Sequence, residues 1–110
     1  MQKSIVTELI DELEAEVNNG GFHQYFSNSS GKNAEMALSS LEAVGAEKMA
    51  TILRKAIAKF PGGIVPENRD EREEVLDEVA PDCIGFEELD SEFCQYPDDL
   101  AALVEDYAGS

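Results

Sequence analysis

Apolar residues recur every three or four positions along nearly the whole chain. Ile5, Leu9, Leu13 and Val17 step by four, with Val6 and Ile10 widening the stripe, so residues 4–18 read as an amphipathic helix. Asn18-Asn19-Gly20-Gly21 ends it, because glycine tolerates the left-handed conformation that follows a helix. Phe22-His23-Gln24-Tyr25-Phe26 then makes a short aromatic segment of one or two turns, closed by a loop at Asn28-Ser29-Ser30-Gly31. Asn33 stands at an N-cap position, with Glu35 in the first turn where the helix dipole favours an acid. Ala34, Ala37, Leu38, Leu41 and Val44 form the next stripe, and Gly45 breaks it. The clearest helix carries Met49, Ile52, Leu53, Ala56, Ile57 and Phe60, and Pro61-Gly62-Gly63 stops it.

Three shorter helices follow. Pro66 is expected in the first turn of one whose apolar residues are Val75, Leu76 and Val79, with Pro81 ending it. Phe86, Leu89, Phe93 and Tyr96 make a second stripe. Pro97 is expected to start a third helix, with Asp98 and Asp99 in its first turn and Leu100, Leu103, Val104 and Tyr107 behind them. No strand-like alternation competes with these patterns. The expectation is an all-α fold: a single compact domain of about six or seven helices spanning 110 residues. A chain of that length buries roughly 65% of its unfolded surface, enough for a core without metal or disulfide staples.

Charge divides this domain in two. Residues 1–60 carry eight acids and six Lys or Arg, a near-neutral scaffold half. Residues 61–110 carry sixteen acids against Arg69 and Arg72 alone, a difference of −14 out of the total −16. That density works against compaction by self-repulsion, so a dedicated acidic face is expected. Its sign works against direct binding to nucleic acid and to anionic lipid, and leaves basic proteins, polyamines or divalent cations as the partner class. No apolar run approaches the length of a membrane span, and the N-terminus holds no uninterrupted apolar stretch, so a cytoplasmic location is expected. Cys83 and Cys94, eleven apart, match no zinc spacing and are expected reduced and partly buried. No metal site, cofactor or catalytic residue is assigned: the acidic half lacks an EF-hand loop, and the glycine pairs lack the Lys-Ser/Thr of a phosphate cradle.

The run Asn18-Asn19-Gly20-Gly21-Phe22-His23-Gln24-Tyr25-Phe26-Ser27-Asn28 is specific. So are the Leu41-Glu42-Ala43-Val44-Gly45-Ala46-Glu47-Lys48 segment leading to Phe60-Pro61, and Glu88-Leu89-Asp90 with Phe93. Together they resemble a bacterial all-helical domain family of otherwise unknown function, whose characterised member is a Neisseria DNA-mimic protein that binds a transcription factor. The resemblance covers roughly residues 5–107. It implies an all-α fold and, from the characterised member, a homodimer whose acidic surface imitates DNA phosphates. The motif residues themselves are apolar, glycine or amide, so Asn19, Gly20, Gly21, Phe22, Tyr25 and Phe26 are read as fold determinants, and no acidic contact residue carries over by motif.

Helical projection supplies the candidate contact surface. With Val75, Leu76 and Val79 inward, Asp70, Glu73, Glu74 and Asp77 point away from the core, with Glu67 and Glu78 on the shoulders. Glu87 and Glu88 face outward on the next helix. Duplex DNA presents one phosphate per about 1.7 Å of axis. A helix of a dozen residues with four to six outward carboxylates offers about one per 3–4.5 Å, so one helix alone is too sparse to copy both strands. Arg72 projects onto the apolar side and is expected to pair with a carboxylate from another helix, Asp90 first, because charged residues are rarely buried unpaired. Two other readings stand beside the acidic protein-binding module. One is a ligand or enzymatic site around Asn18, Asn19, His23 and Gln24, with acidity serving only solubility. The other is an immunity-like inhibitor of a basic toxin.

Overall fold

The computed structural model describes residues 2–81 and 85–109. Among the described residues six α-helices make up the fold: α1 (Lys3–Ser27), α2 (Ala34–Ala43), α3 (Glu47–Ile57), α4 (Arg69–Val79), α5 (Glu87–Cys94) and α6 (Leu100–Gly109). Two short 3-10 turns, Ser29–Asn33 and Pro61–Gly63, join α1 to α2 and follow α3. The described residues contain no strand. No helix among them is long and apolar enough to cross a membrane. Cys83 lies outside the described residues, and Cys94 is exposed, not partly buried as expected.

The fold is organised around α1, which packs against α2, α4, α5 and α6, while α3 packs against α2 and α5. The predicted stripe is its buried face except at Ile5, which is exposed near the start of the helix: Val6, Leu9, Ile10, Leu13 and Val17 are all in the core. The aromatic run is core as well. Phe22, Tyr25 and Phe26 are fully buried. Phe26 meets Phe60 at 4.8 Å and Phe86 at 5.7 Å between ring centroids, and Phe22 meets Phe93 edge-on at 5.6 Å. One aromatic cluster thereby ties the end of α1 to the end of α3 and to α5, in the tilted and edge-on geometries that ring quadrupoles favour.

The structure revises several element boundaries. The expected stop at Gly20-Gly21 is a kink between two helical segments of α1: these two residues leave helical geometry, and Gly21 takes φ +76°. The chain resumes its helix at once, so no loop separates the two segments. Pro66 does not enter α4, because Asn68 caps that helix by accepting the Glu71 N–H at 3.1 Å. Pro97 and Asp98 likewise precede α6, which begins at Leu100. Asp99 Oδ1 accepts the Ala102 N–H at 3.3 Å in the manner of an N-cap. Asn33 does stand at the start of α2, but its side chain turns away from that helix and donates to Glu12 at 3.1 Å. Tyr96 falls off the apolar stripe of α5. It sits beyond the helix at φ +49°, and its hydroxyl donates to Glu14 at 3.0 Å and accepts from Asn18 at 2.8 Å.

Candidate acidic interface

Arg72 lies on the buried side of α4 as projected, only 1% exposed, but the expected pairing with Asp90 does not form. Its guanidinium donates to four backbone carbonyls instead: Nε to Phe26 at 2.6 Å, Nη2 to Asn28 at 2.9 Å, and Nη1 to Pro66 at 3.1 Å and Glu67 at 3.0 Å. Two of those carbonyls belong to the end of α1 and two to the segment entering α4. The planar fork thus locks the acidic helix to the scaffold, a task suited to five fixed donors rather than one point charge. A Cβ at Gly31 would stand 2.6 Å from Arg72 Nε and 2.9 Å from Phe26 Cα, so only glycine lets the 3-10 turn close over the guanidinium. Local sequence marks Gly31 only as a loop residue; the close approach that requires it is tertiary.

Asp90 has a different task. Its Oδ1 accepts the Phe22 N–H at 2.8 Å, at the first residue after the break in α1. Burial raises its carboxyl above the ordinary range; the Phe22 N–H opposes that rise, Glu87 adds to it, and His23 opposes it. Asp98 acts similarly, its Oδ2 accepting the Met49 N–H in the first turn of α3 at 2.9 Å. Acids of the second half therefore cap helices of the first. A helix start leaves N–H groups without partners, and a carboxylate brought from elsewhere satisfies one while meeting the positive end of the helix dipole.

The remaining candidates on α4 and α5 are placed at the surface. Glu67, Asp70, Glu74, Asp77 and Glu78 are exposed, as are Glu87 and Glu88 on α5. Glu73 is the exception. It is half-buried, accepts from Arg69 at 3.4 Å within its own helix, and lies 3.4 Å from the Ser27 hydroxyl. Glu71, which projection alone puts beside Arg72 and Val75, is exposed and joins the outer face. At 100° per residue, Asp70, Glu71, Glu74, Asp77 and Glu78 fall within an arc of about 120°. They run along an 11-residue helix about 16 Å long, or about one carboxylate per 3 Å. A single DNA strand spaces its phosphates by about 3.4 Å. The α4 ridge therefore matches one strand in mean axial density, though its individual steps along the axis are about 1.5 or about 4.5 Å. Both α4 and α5 are carried by α1. Glu87 is held below the ordinary carboxyl range, first by its own N–H and then by the Gly85 N–H, so it stays ionised.

The amide-rich motif is occupied by internal contacts. Gln24 Nε2 and Asn28 Nδ2 both donate to Glu16, at 2.7 and 3.0 Å, bridging the break in α1. Asn18 is taken up by Tyr96. His23 is half-buried and Asn19 exposed. A depression of about 500 Å³ opens elsewhere, between α3 and α5, beside Lys48, Ile52, Lys55 and Glu92. Among the described residues, no group of three or more His, Cys, Asp or Glu is arranged to hold a metal ion.

No curated protein and no solved structure matches the chain. A family match spans residues 3–110, covering the broken first helix, the Arg72 clamp and the acidic helices together. The chain belongs to the DMP19-like protein family.

Proposed function

We propose that this domain is a non-enzymatic protein-binding module and a DNA mimic, occupying the DNA-binding surface of a basic protein such as a transcription factor. The observation that carries this reading is the α4 ridge, whose carboxylates have about the mean axial density of the phosphates of one DNA strand. Membership of the DMP19-like family supports it, as does the Arg72 clamp, which holds the ridge in one pose before any partner arrives. A preformed charge array loses little ordering entropy on binding, and carboxylates directed at a cationic surface speed encounter.

The test is capture from native lysate at low salt on the immobilised chain, with elution by a salt gradient. Binding should weaken steeply as salt screens the contact, and duplex DNA in the wash should release the partner. Reversing Asp70, Glu74 and Asp77 to Lys should abolish capture with the fold intact. These three are cleaner probes than Glu73, whose contacts with Arg69 and Ser27 are internal. Retention of the partner by that triple variant would remove α4 from the interface.

A further inference from the structure

Ile64 is the most exposed large apolar side chain of the described residues, at 66%. A lone exposed aliphatic is ordinary, but two features set this one apart. Its chain neighbour Gly63 lines a groove of about 400 Å³ with Leu38, Ile57 and Ala58, and Glu35, Ser39 and Arg54 complete the walls. Arg54 is paired to Glu42 at 3.3 Å, so its charge is partly offset. The backbone around Ile64 is also held on both sides. The Gly63 and Ile64 N–H groups donate to Phe60 at 2.8 Å and Pro61 at 3.3 Å, while Arg72 holds the Pro66 and Glu67 carbonyls. An apolar group on a fixed loop loses little conformational entropy when a partner covers it.

The setting gives the sign of the occupant. Glu67 follows three residues later, within about 11 Å by chain length, and Asp70 and Glu71 open the acidic helix. An aliphatic side chain this near in the chain to the acids that lead into α4 is complementary to a cationic segment that carries its own apolar side chains.

We propose that Ile64 and the Leu38–Ile57–Ala58 groove form an apolar anchor for a basic helical segment, seating an aliphatic side chain set among its lysines or arginines. This rests on the reading that the α4 ridge binds a basic protein. Carboxylates steer and orient a cationic partner but accept many; a desolvated apolar contact is what separates one basic partner from another.

The test uses two synthetic amphipathic helices of equal length and lysine content, one with leucine and one with serine on the uncharged face. Binding of each to the intact chain is measured by fluorescence anisotropy at low and moderate salt, for wild type, Ile64→Ser and the Asp70/Glu74/Asp77 reversal. Wild type should prefer the leucine peptide by about tenfold, the scale expected for burying one aliphatic side chain. Ile64→Ser should lose most of that preference while keeping its affinity for the serine peptide, its salt dependence and its melting temperature. An undiminished leucine preference in Ile64→Ser overturns the anchor. Equal binding of both peptides to wild type overturns it too, while leaving the basic-partner reading intact. Binding of neither peptide defeats that reading itself. Sedimentation of the two proteins closes the remaining route: self-association of wild type that Ile64→Ser abolishes would assign the patch to a second copy and overturn the proposal.

Discussion

Asp90 on α5 and Phe22 on α1, 68 positions apart, share a hydrogen bond of 2.8 Å in which the carboxylate caps a helix it does not belong to. The contact explains the second glycine of the pair before it. Gly21 sits at φ +76°, and a methyl group there would collide with the Asp90 carboxylate. The glycine thus permits both the break in α1 and the approach of the acid that caps its second segment, whose rings fill the aromatic core.

Substitutions at this contact should separate hydrogen bonding from charge. Asp90→Asn retains an acceptor for the Phe22 N–H and should cost less than about 1 kcal/mol. Asp90→Ala leaves that half-buried N–H without its partner and should cost about 1–3 kcal/mol in urea unfolding. Gly21→Ala should be worse than either, since it combines an unfavourable positive φ with the collision. Equal losses for the Asn and Ala variants would show that the cap is not the source of the effect.

Arg72 should be the most sensitive polar position of the chain. Arg72→Ala opens a cavity and strips four carbonyls of their donor, which should cost more than about 3 kcal/mol. Arg72→Lys should recover only part of this, because a single ammonium on a flexible stem cannot reproduce the planar fork. Circular dichroism with denaturant titration gives the ranking wild type, Lys, Ala; a fully restored Lys variant would mean that charge alone matters there.

The pH dependence of stability has a definite sign. Burial raises the Asp90 and Glu14 carboxyls, with the Phe22 N–H and the Tyr96 hydroxyl opposing the respective rises. The folded state therefore holds these two protons more tightly than the unfolded chain. Each contribution is complete below the ordinary carboxyl range and is lost as pH rises through the elevated folded value. Glu87 runs the other way: hydrogen bonds lower it, so its contribution is present at neutral pH and lost as pH falls through its depressed folded value. Repulsion within a net charge of −16 adds to the first trend. The melting temperature should rise as pH is lowered from about 7 to about 5, and a combined Glu14→Gln, Asp90→Asn variant should flatten the rise. A flat wild-type profile would argue against burial of these carboxyls.

Local pattern alone predicted the helical class, the division at Gly20-Gly21, the buried stripes of α1 and α3, and the inward position of Arg72. These follow from helical period and glycine conformation, which act over a few neighbouring residues. The boundaries at Pro66 and Pro97 were less legible. Proline is acceptable in a first turn, but Asn68 and Asp99 offered side-chain caps further along, and a cap that satisfies a free N–H decides where a helix begins.

What the sequence by itself determined is the all-helical scaffold and the concentration of acid in its second half, because periodicity and charge are properties of the chain in order. Tertiary structure alone decided which acids belong to the surface and which to the interior. Asp90 and Asp98 serve distant helix starts, and Glu73 is held by Arg69 and Ser27. Arg72 finds carbonyls where a carboxylate was expected. The physical reason is that a charged group takes whatever partner the packing brings within hydrogen-bond reach. For Arg72 the end of α1 and the segment entering α4 each delivered two carbonyl oxygens, while Asp90 was engaged with the Phe22 N–H.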